Sequence, residues 1–418
     1  MTQHSISALT SASQAREGND PIFRLNSEAK ARAAAGESIL DATMGALMDD
    51  EGQIAVMPSV AEAIARVPTG KAAGYSPISG SPPFLDAVRR DLLGNSDLLP
   101  KSVAVTTPGG SGAIYQAIKN FVEPGHQALT TDYYWGPYPV IAQHLERDVS
   151  TFGMFSPDLS FDLEAMKQGI RQHIDTQGRL LLILNFPCHN PTGYSLDVGE
   201  WMSIAEVVRA AGEEAPVAVL LDLAYHRFGG ESADLWIDAV PTMLETTTVL
   251  LAWTASKSFC QYGARIGSLV ALHPDQEERN KLANALGFTC RATWSNSNHL
   301  GQLAVTDLLV DPELSKRADT DRAGLVELLR TRVEAFNSAA STAGLHVPRY
   351  DGGFFVVVFT PDGEKTAAVM RDMGVYVIPL KGAVRVALCA TPEAEIPRLV
   401  EALRAGIDQA EAGQGSSA

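Results

Sequence analysis

The chain has 418 residues, 45% hydrophobic and 20% charged, enough for a large core in two packed units, and no apolar run reaches membrane-spanning length. A formal net charge of -16 argues against a nucleic-acid surface, which needs clustered Lys and Arg, and reads as a solubility feature. Cys188, Cys260, Cys290 and Cys389 are widely spaced, without the pairs of a zinc site or the density of a disulfide scaffold, so a reduced, cytoplasmic protein without a structural metal is expected.

Met1 to Glu17 is polar, rich in Ser, Thr, Gln and Ala, and lacks the apolar stretch of a signal peptide. Residues 1–20 read as a flexible segment, and 21–65 as an arm that joins a small domain. A large domain is expected over 66–305. There the apolar runs Val103 to Thr106, Leu180 to Leu184, Val217 to Leu221, Val249 to Trp253 and Ser268 to Leu272 alternate with helix-like segments. Short, near-continuous apolar strands between helices indicate an α/β fold with a mostly parallel sheet covered on both faces. From about Pro312 to Ala343 the pattern is a long amphipathic helix, followed by strand-like runs at Phe354 to Phe359 and Arg385 to Leu388. These predict a smaller α+β domain over 306–410, with a flexible tail at 411–418. A site is expected in the cleft between the two domains.

The residues that carry chemistry fall mostly at the ends of those runs. Gly109-Gly110-Ser111-Gly112-Ala113 is a glycine-rich strand-to-helix turn whose N–H groups suit an anion, although such turns also serve simple packing. Trp135, within Tyr133-Tyr134-Trp135-Gly136-Pro137-Tyr138, offers a face for stacking on a ring; aromatic clusters are more often core. Asn190, in Cys188-His189-Asn190-Pro191-Thr192-Gly193, either sits in a plain turn or donates to a ligand oxygen. Asp222, in Leu221-Asp222-Leu223-Ala224-Tyr225, and Lys257, in Thr254-Ala255-Ser256-Lys257-Ser258-Phe259, each follow a strand-like run. A lysine can hold a carbonyl cofactor as a Schiff base, and an aspartate can keep a pyridine nitrogen protonated so that the ring accepts electrons. Together they describe a socket for pyridoxal 5'-phosphate. Tyr225 and Asn190 can tune that cofactor's phenolic oxygen, and Thr254 and Arg265 add donors for its phosphate. Arg291 and Arg385 are forks suited to carboxylates.

Taken in order, these motifs resemble the fold-type I pyridoxal-phosphate enzymes, specifically the class I aminotransferases typified by aspartate and aromatic-amino-acid aminotransferases. The resemblance runs from about Gly45 to Arg385. It implies that Lys257 carries the cofactor, that Asp222, Tyr225 and Asn190 tune its ring, and that Ser111, Gly112 and Ala113 with Thr254 and Arg265 hold its phosphate. It further implies that Arg385 binds the substrate α-carboxylate, that Gly45 presents its backbone to substrate, and that the family's homodimer shares its sites. In such a dimer Tyr75 reaches the neighbouring subunit's phosphate, and Arg291 binds a side-chain carboxylate across the interface. Two positions depart from the branch: Ser297-Asn298 replaces two prolines, and Tyr138 stands where a histidine supporting the ring aspartate is usual. The activity implied is transfer of an amino group between an aspartate or aromatic L-amino acid and 2-oxoglutarate by a ping-pong cycle. A carbon–sulfur β-lyase or decarboxylase on the same scaffold is the alternative.

Overall fold

The computed structural model describes residues 7–16, 18 and 21–415. The expectation of flexible ends therefore lies partly outside the described residues; within them, the last helix, Ile396–Gly415, extends into the expected tail. Twelve strands are present among the described residues: β1 (Leu40–Asp41), β2 (Ser102–Thr107), β3 (Gln127–Thr131), β4 (Asp148–Phe152), β5 (Leu180–Leu184), β6 (Val217–Asp222), β7 (Thr248–Thr254), β8 (Gly267–Leu272), β9 (Phe355–Phe359), β10 (Val375–Tyr376), β11 (Ile378–Leu380) and β12 (Ala383–Ala387).

Seven of them form one sheet in the order β2-β8-β7-β6-β5-β3-β4, in which only β8 runs against its neighbours. Every residue of β5, β6 and β8 is buried. Burial on both faces requires a continuous apolar run rather than an alternating one, which is why these strands stand out in the sequence. β3 and β4 do not, and the pattern-based reading passed over them. β4 is an edge strand with only Phe152 buried, and β3 ends in two threonines, so neither carries the apolar run of a central strand. The topology brings the carboxyl ends of β5, β6 and β7 side by side, where open α/β sheets bind ligands.

A second, antiparallel sheet has the order β11-β12-β9, with Arg385 of β12 opposite Val357 of β9. The helix Pro312–Thr342 covers it, and β1 pairs with β10 beside it. One apolar cluster joins this sheet to Tyr225 and Phe228, which follow β6, so the two sheets meet over the end of β6.

Gly193 closes that seam. Its φ is +77°, and a Cβ there would lie 2.3 Å from the Phe355 carbonyl oxygen and 2.3 Å from the Tyr350 ring. Both the left-handed backbone and the contact exclude a side chain. Gly193→Ala is expected to destabilise the protein by more than about 1 kcal/mol, read as a lower melting temperature of the cofactor-free protein; an unchanged melting temperature would contradict this packing.

Candidate active site

Asp222 is the last residue of β6 and pairs in register with Ala252 of β7. Two residues beyond, β7 ends at Thr254 and turns at once into the one-turn helix Ala255–Ser258, which carries Lys257. The carboxylate and the amine are thus placed by adjacent strand ends. Asp222 is buried; Tyr138 donates its hydroxyl to Oδ2 at 2.8 Å, and the Ala224 N–H donates to Oδ1 at 3.3 Å. Burial pushes the carboxyl up to about 6, against the opposing pull of these two donors. Lys257 Nζ donates to the Gly45 carbonyl at 2.7 Å and lies 4.6, 5.4 and 5.5 Å from the ring centres of Tyr262, Phe354 and Tyr225. Burial lowers its amine to about 8.

One side of the cleft is a hydrogen-bonded frame. Asn190 Nδ2 donates to the Tyr225 hydroxyl at 3.1 Å. Asn185 ties both to the sheet: its Oδ1 accepts the Asn190 N–H at 2.8 Å, and its Nδ2 donates to the Asp222 carbonyl at 2.9 Å. Burial holds the Tyr225 phenol well above its usual range. Trp135 lines the cleft and meets the Tyr138 ring edge-on at 5.5 Å.

At the other end, the helix Gly109–Phe121 points its N-terminus into the cleft, where the first-turn N–H groups lack intrahelical partners. Arg265 Nη2 lies 3.4 Å from Ser111 Oγ and 3.3 Å from the Pro108 carbonyl. Two glycines of the turn exclude side chains: Gly109 has a φ of +72°, and a Cβ on Gly112 would sit 2.5 Å from Pro108 Cδ. Thr254 and Ser256 line the same end, with their hydroxyls 3.0 Å apart. Ala113 turns its methyl into the core and reaches this end only through its backbone.

In the second sheet, buried Arg385 donates to the Thr43 carbonyl at 2.7 Å and lies over the Phe355 ring at 4.5 Å. Gly45 is pressed on that same ring, since a Cβ would lie 2.6 Å from Phe355 Cζ. The segment bearing Gly45 is pinned where the Tyr262 hydroxyl accepts the Leu47 N–H at 2.9 Å, and where buried Arg332 bonds Asp50 at 2.6 Å. Of the expected residues, Gly45, Gly112, Ala113 and Arg385 lie behind the cleft lining rather than in it, and Tyr75 and Arg291 are at the surface of this chain. Tyr75 is 92% exposed, and the exposed Arg291 bonds Ser295 Oγ at 2.9 Å. Conversely, Asn185, Ser256, Tyr262 and Phe355 were not singled out from the sequence. Tyr262 and Ser256 lie inside the Thr254 to Arg265 stretch, which was the available signal; Asn185 and Phe355 depend on the pairing of segments distant in sequence.

The cleft thus brings anion donors, a buried carboxylate and a buried amine together on one lining. That donor set fits pyridoxal phosphate, with its phosphate, ring nitrogen and aldehyde.

Comparison with known proteins gives the family. The family model described as aminotransferase class I and II matches residues 38–403. An aromatic-amino-acid aminotransferase of Paracoccus denitrificans is 28% identical over 92% of this chain and 96% of its own length. An aspartate aminotransferase of Pseudomonas aeruginosa is 28% identical over 71% of this chain and 74% of its own. A crystal structure of an aminotransferase from Anaerococcus prevotii superposes with a TM-score of 0.89 at 28% identity, covering 96% of this chain and 100% of the other.

A pH dependence follows from the burial of Asp222. Only the ionised carboxylate pairs with a protonated ring nitrogen, and in the cofactor-free cleft the carboxyl titrates near 6. Cofactor affinity is therefore expected to hold above that pH and to fall as pH drops through it. Fluorescence titration of the cofactor-free protein checks this, and the step should be missing in Asp222→Asn.

Proposed function

This chain belongs to the class I and II aminotransferases, and we propose that it moves amino groups between an aspartate or aromatic L-amino acid and 2-oxoglutarate, as a homodimer. It is a pyridoxal-phosphate-dependent transaminase. The observation that carries the site assignment is the placement of Asp222 and Lys257 on adjoining strand ends of one cleft, with Arg385 near enough to act on the Lys257 charge. The names of the Paracoccus and Pseudomonas relatives support the two donor classes.

The bound cofactor supplies a carbonyl that engages amines and a ring that accepts electrons. The roles of the chain's own residues are as follows in this reading. Lys257 holds the cofactor and, when freed, takes the proton from the substrate α-carbon at Nζ. An amine near 8 is neutral often enough around neutral pH to act as that base. Asp222 keeps the ring nitrogen protonated. Asn190 and Tyr225 bond the phenolic oxygen, and Trp135 covers the ring face. Ser111, Gly112, Ala113, Thr254 and Arg265 hold the phosphate by side chain or helix N–H. Arg385, braced by Thr43 and Phe355, meets the α-carboxylate, while Gly45 presents its backbone to the substrate.

In the proposed dimer, Tyr75 and Arg291 act on the neighbouring subunit's site, which accounts for their exposure in a single chain. The loop bearing Tyr75 and Ile78 packs through Ser79 on Gly287, next to Phe288, which is 75% exposed. Exposed apolar side chains such as Tyr75, Ile78 and Phe288 are suited to association.

The assay that tests this function supplies aspartate, tyrosine or phenylalanine with 2-oxoglutarate. One glutamate is expected per 2-oxo acid formed, and ammonia release without acceptor would overturn the reading. Arg385→Lys removes a planar fork and should raise KM for donor and acceptor alike by about tenfold or more. Arg291→Ala should raise KM for aspartate and leave that for phenylalanine within about twofold.

A further inference from the structure

Asn298, in the Ser297-Asn298 pair that departs from the family's two prolines, lies outside the cleft lining and bonds two separate elements. It is the N-cap of the helix His299–Val310, where its Oδ1 accepts the Gly301 N–H at 3.0 Å. Its Nδ2 donates to the Ala264 carbonyl at 2.9 Å. A proline offers no side-chain partner for either bond. The start of this helix is itself anchored: fully buried Gln302 accepts the Ser81 N–H at 2.8 Å and donates to Ser76 Oγ at 3.2 Å, and His299 Nδ1 donates to the Gly74 carbonyl at 2.8 Å.

The Ala264 carbonyl matters because of the residue that follows it. Arg265 has a φ of +54°, a left-handed conformation that a residue with a side chain holds only when its surroundings impose it. That angle sets the Ala264–Arg265 peptide plane against the Arg265 side chain, so a bond that fixes the Ala264 carbonyl fixes the direction in which the guanidinium leaves the backbone. On the far side, the Ile266 carbonyl accepts the Ala255 N–H at 3.0 Å and the Thr254 hydroxyl at 3.3 Å. The arginine's backbone is thus held at both ends, by the lysine-bearing turn and by Asn298, while its guanidinium bonds the Tyr262 and Pro108 carbonyls and lies 3.4 Å from Ser111 Oγ. We propose that Asn298 is a positioning residue for the cofactor phosphate: by holding the Ala264 carbonyl it keeps Arg265 in its left-handed backbone and the guanidinium beside Ser111, at the anion-binding part of the cleft. The proposal rests on the reading that Arg265 holds that phosphate.

Asn298→Ser keeps a neutral capping oxygen for the helix and removes the amide that reaches Ala264. Binding to the cofactor-free protein is measured by fluorescence for pyridoxal 5'-phosphate and for pyridoxal, which has the same ring and aldehyde and no phosphate. The ratio of the two affinities is the readout, because any loss of folded protein weakens both ligands alike. The expected result is an about threefold to tenfold loss for pyridoxal 5'-phosphate, the range of one neutral hydrogen bond, with pyridoxal within about twofold of the wild type. In an Arg265→Gln background the same substitution should leave the ratio unchanged, since the group it positions is gone. Equal weakening of both ligands would make Asn298 a helix cap and nothing more, and so overturn the proposal, as would an unchanged ratio or an equal loss with and without Arg265. Arg265→Gln alone tests the level beneath. If it leaves the ratio at the wild-type value, Arg265 does not hold the phosphate and that reading fails; a ratio lowered by Arg265→Gln and not by Asn298→Ser sinks the proposal alone.

Discussion

Removing a carboxyl and an amine from water at the ends of two adjacent strands is the constraint on which the site depends. Burial raises Asp222 to about 6 and lowers Lys257 to about 8, so both groups titrate close to neutral pH. A buried charge is tolerated only when hydrogen bonds replace its water. Asp222 has Tyr138 and the Ala224 N–H, and Lys257 has the Gly45 carbonyl. Both groups line the cleft, where, in the proposed site, a cationic ring nitrogen and a carbonyl carbon complete their bonding. The fold therefore carries an electrostatic cost that cofactor binding relieves, and the cofactor in turn stabilises the folded state by mass action.

The same cleft is shared between two sheets. The seven-stranded sheet supplies the acid, the amine and the anion end, while the three-stranded sheet supplies Arg385. Gly45 links them: its carbonyl meets Lys257, and its α-carbon rests on Phe355, over which Arg385 also lies. The Tyr262 to Leu47 and Arg332 to Asp50 bonds fix that segment from both sides. The proposed carboxylate binding by Arg385 and proton transfer at Lys257 would consequently share one seam, and a shift there moves both groups relative to each other.

Much of this is legible in the sequence because the sheet writes itself plainly. β5, β6 and all but the first residue of β7 are buried and appear as apolar runs, with Asp222 and Thr254 closing β6 and β7 and Lys257 three residues beyond. The glycine-rich turn before Ser111 and the Asn-Pro-Thr-Gly step are equally local. β3 and β4 are hidden by position and composition: an edge strand needs no continuous run, and threonines read as either face. Asn185, Phe355 and the bond from Tyr138 to Asp222 belong to no local pattern, since each arises from segments that meet only in the folded chain. Tyr75 and Arg291 are exposed in one chain, so their proposed roles depend on a second copy.

The measurement that tests the central claim most directly is borohydride reduction of the protein loaded with pyridoxal phosphate, followed by mass mapping of the labelled peptide. This account predicts a single attachment, on Lys257, within the stretch from Thr254 to Arg265. Attachment to any other lysine, or a cofactor lost without covalent label, would contradict the assignment of the buried amine as the cofactor's anchor.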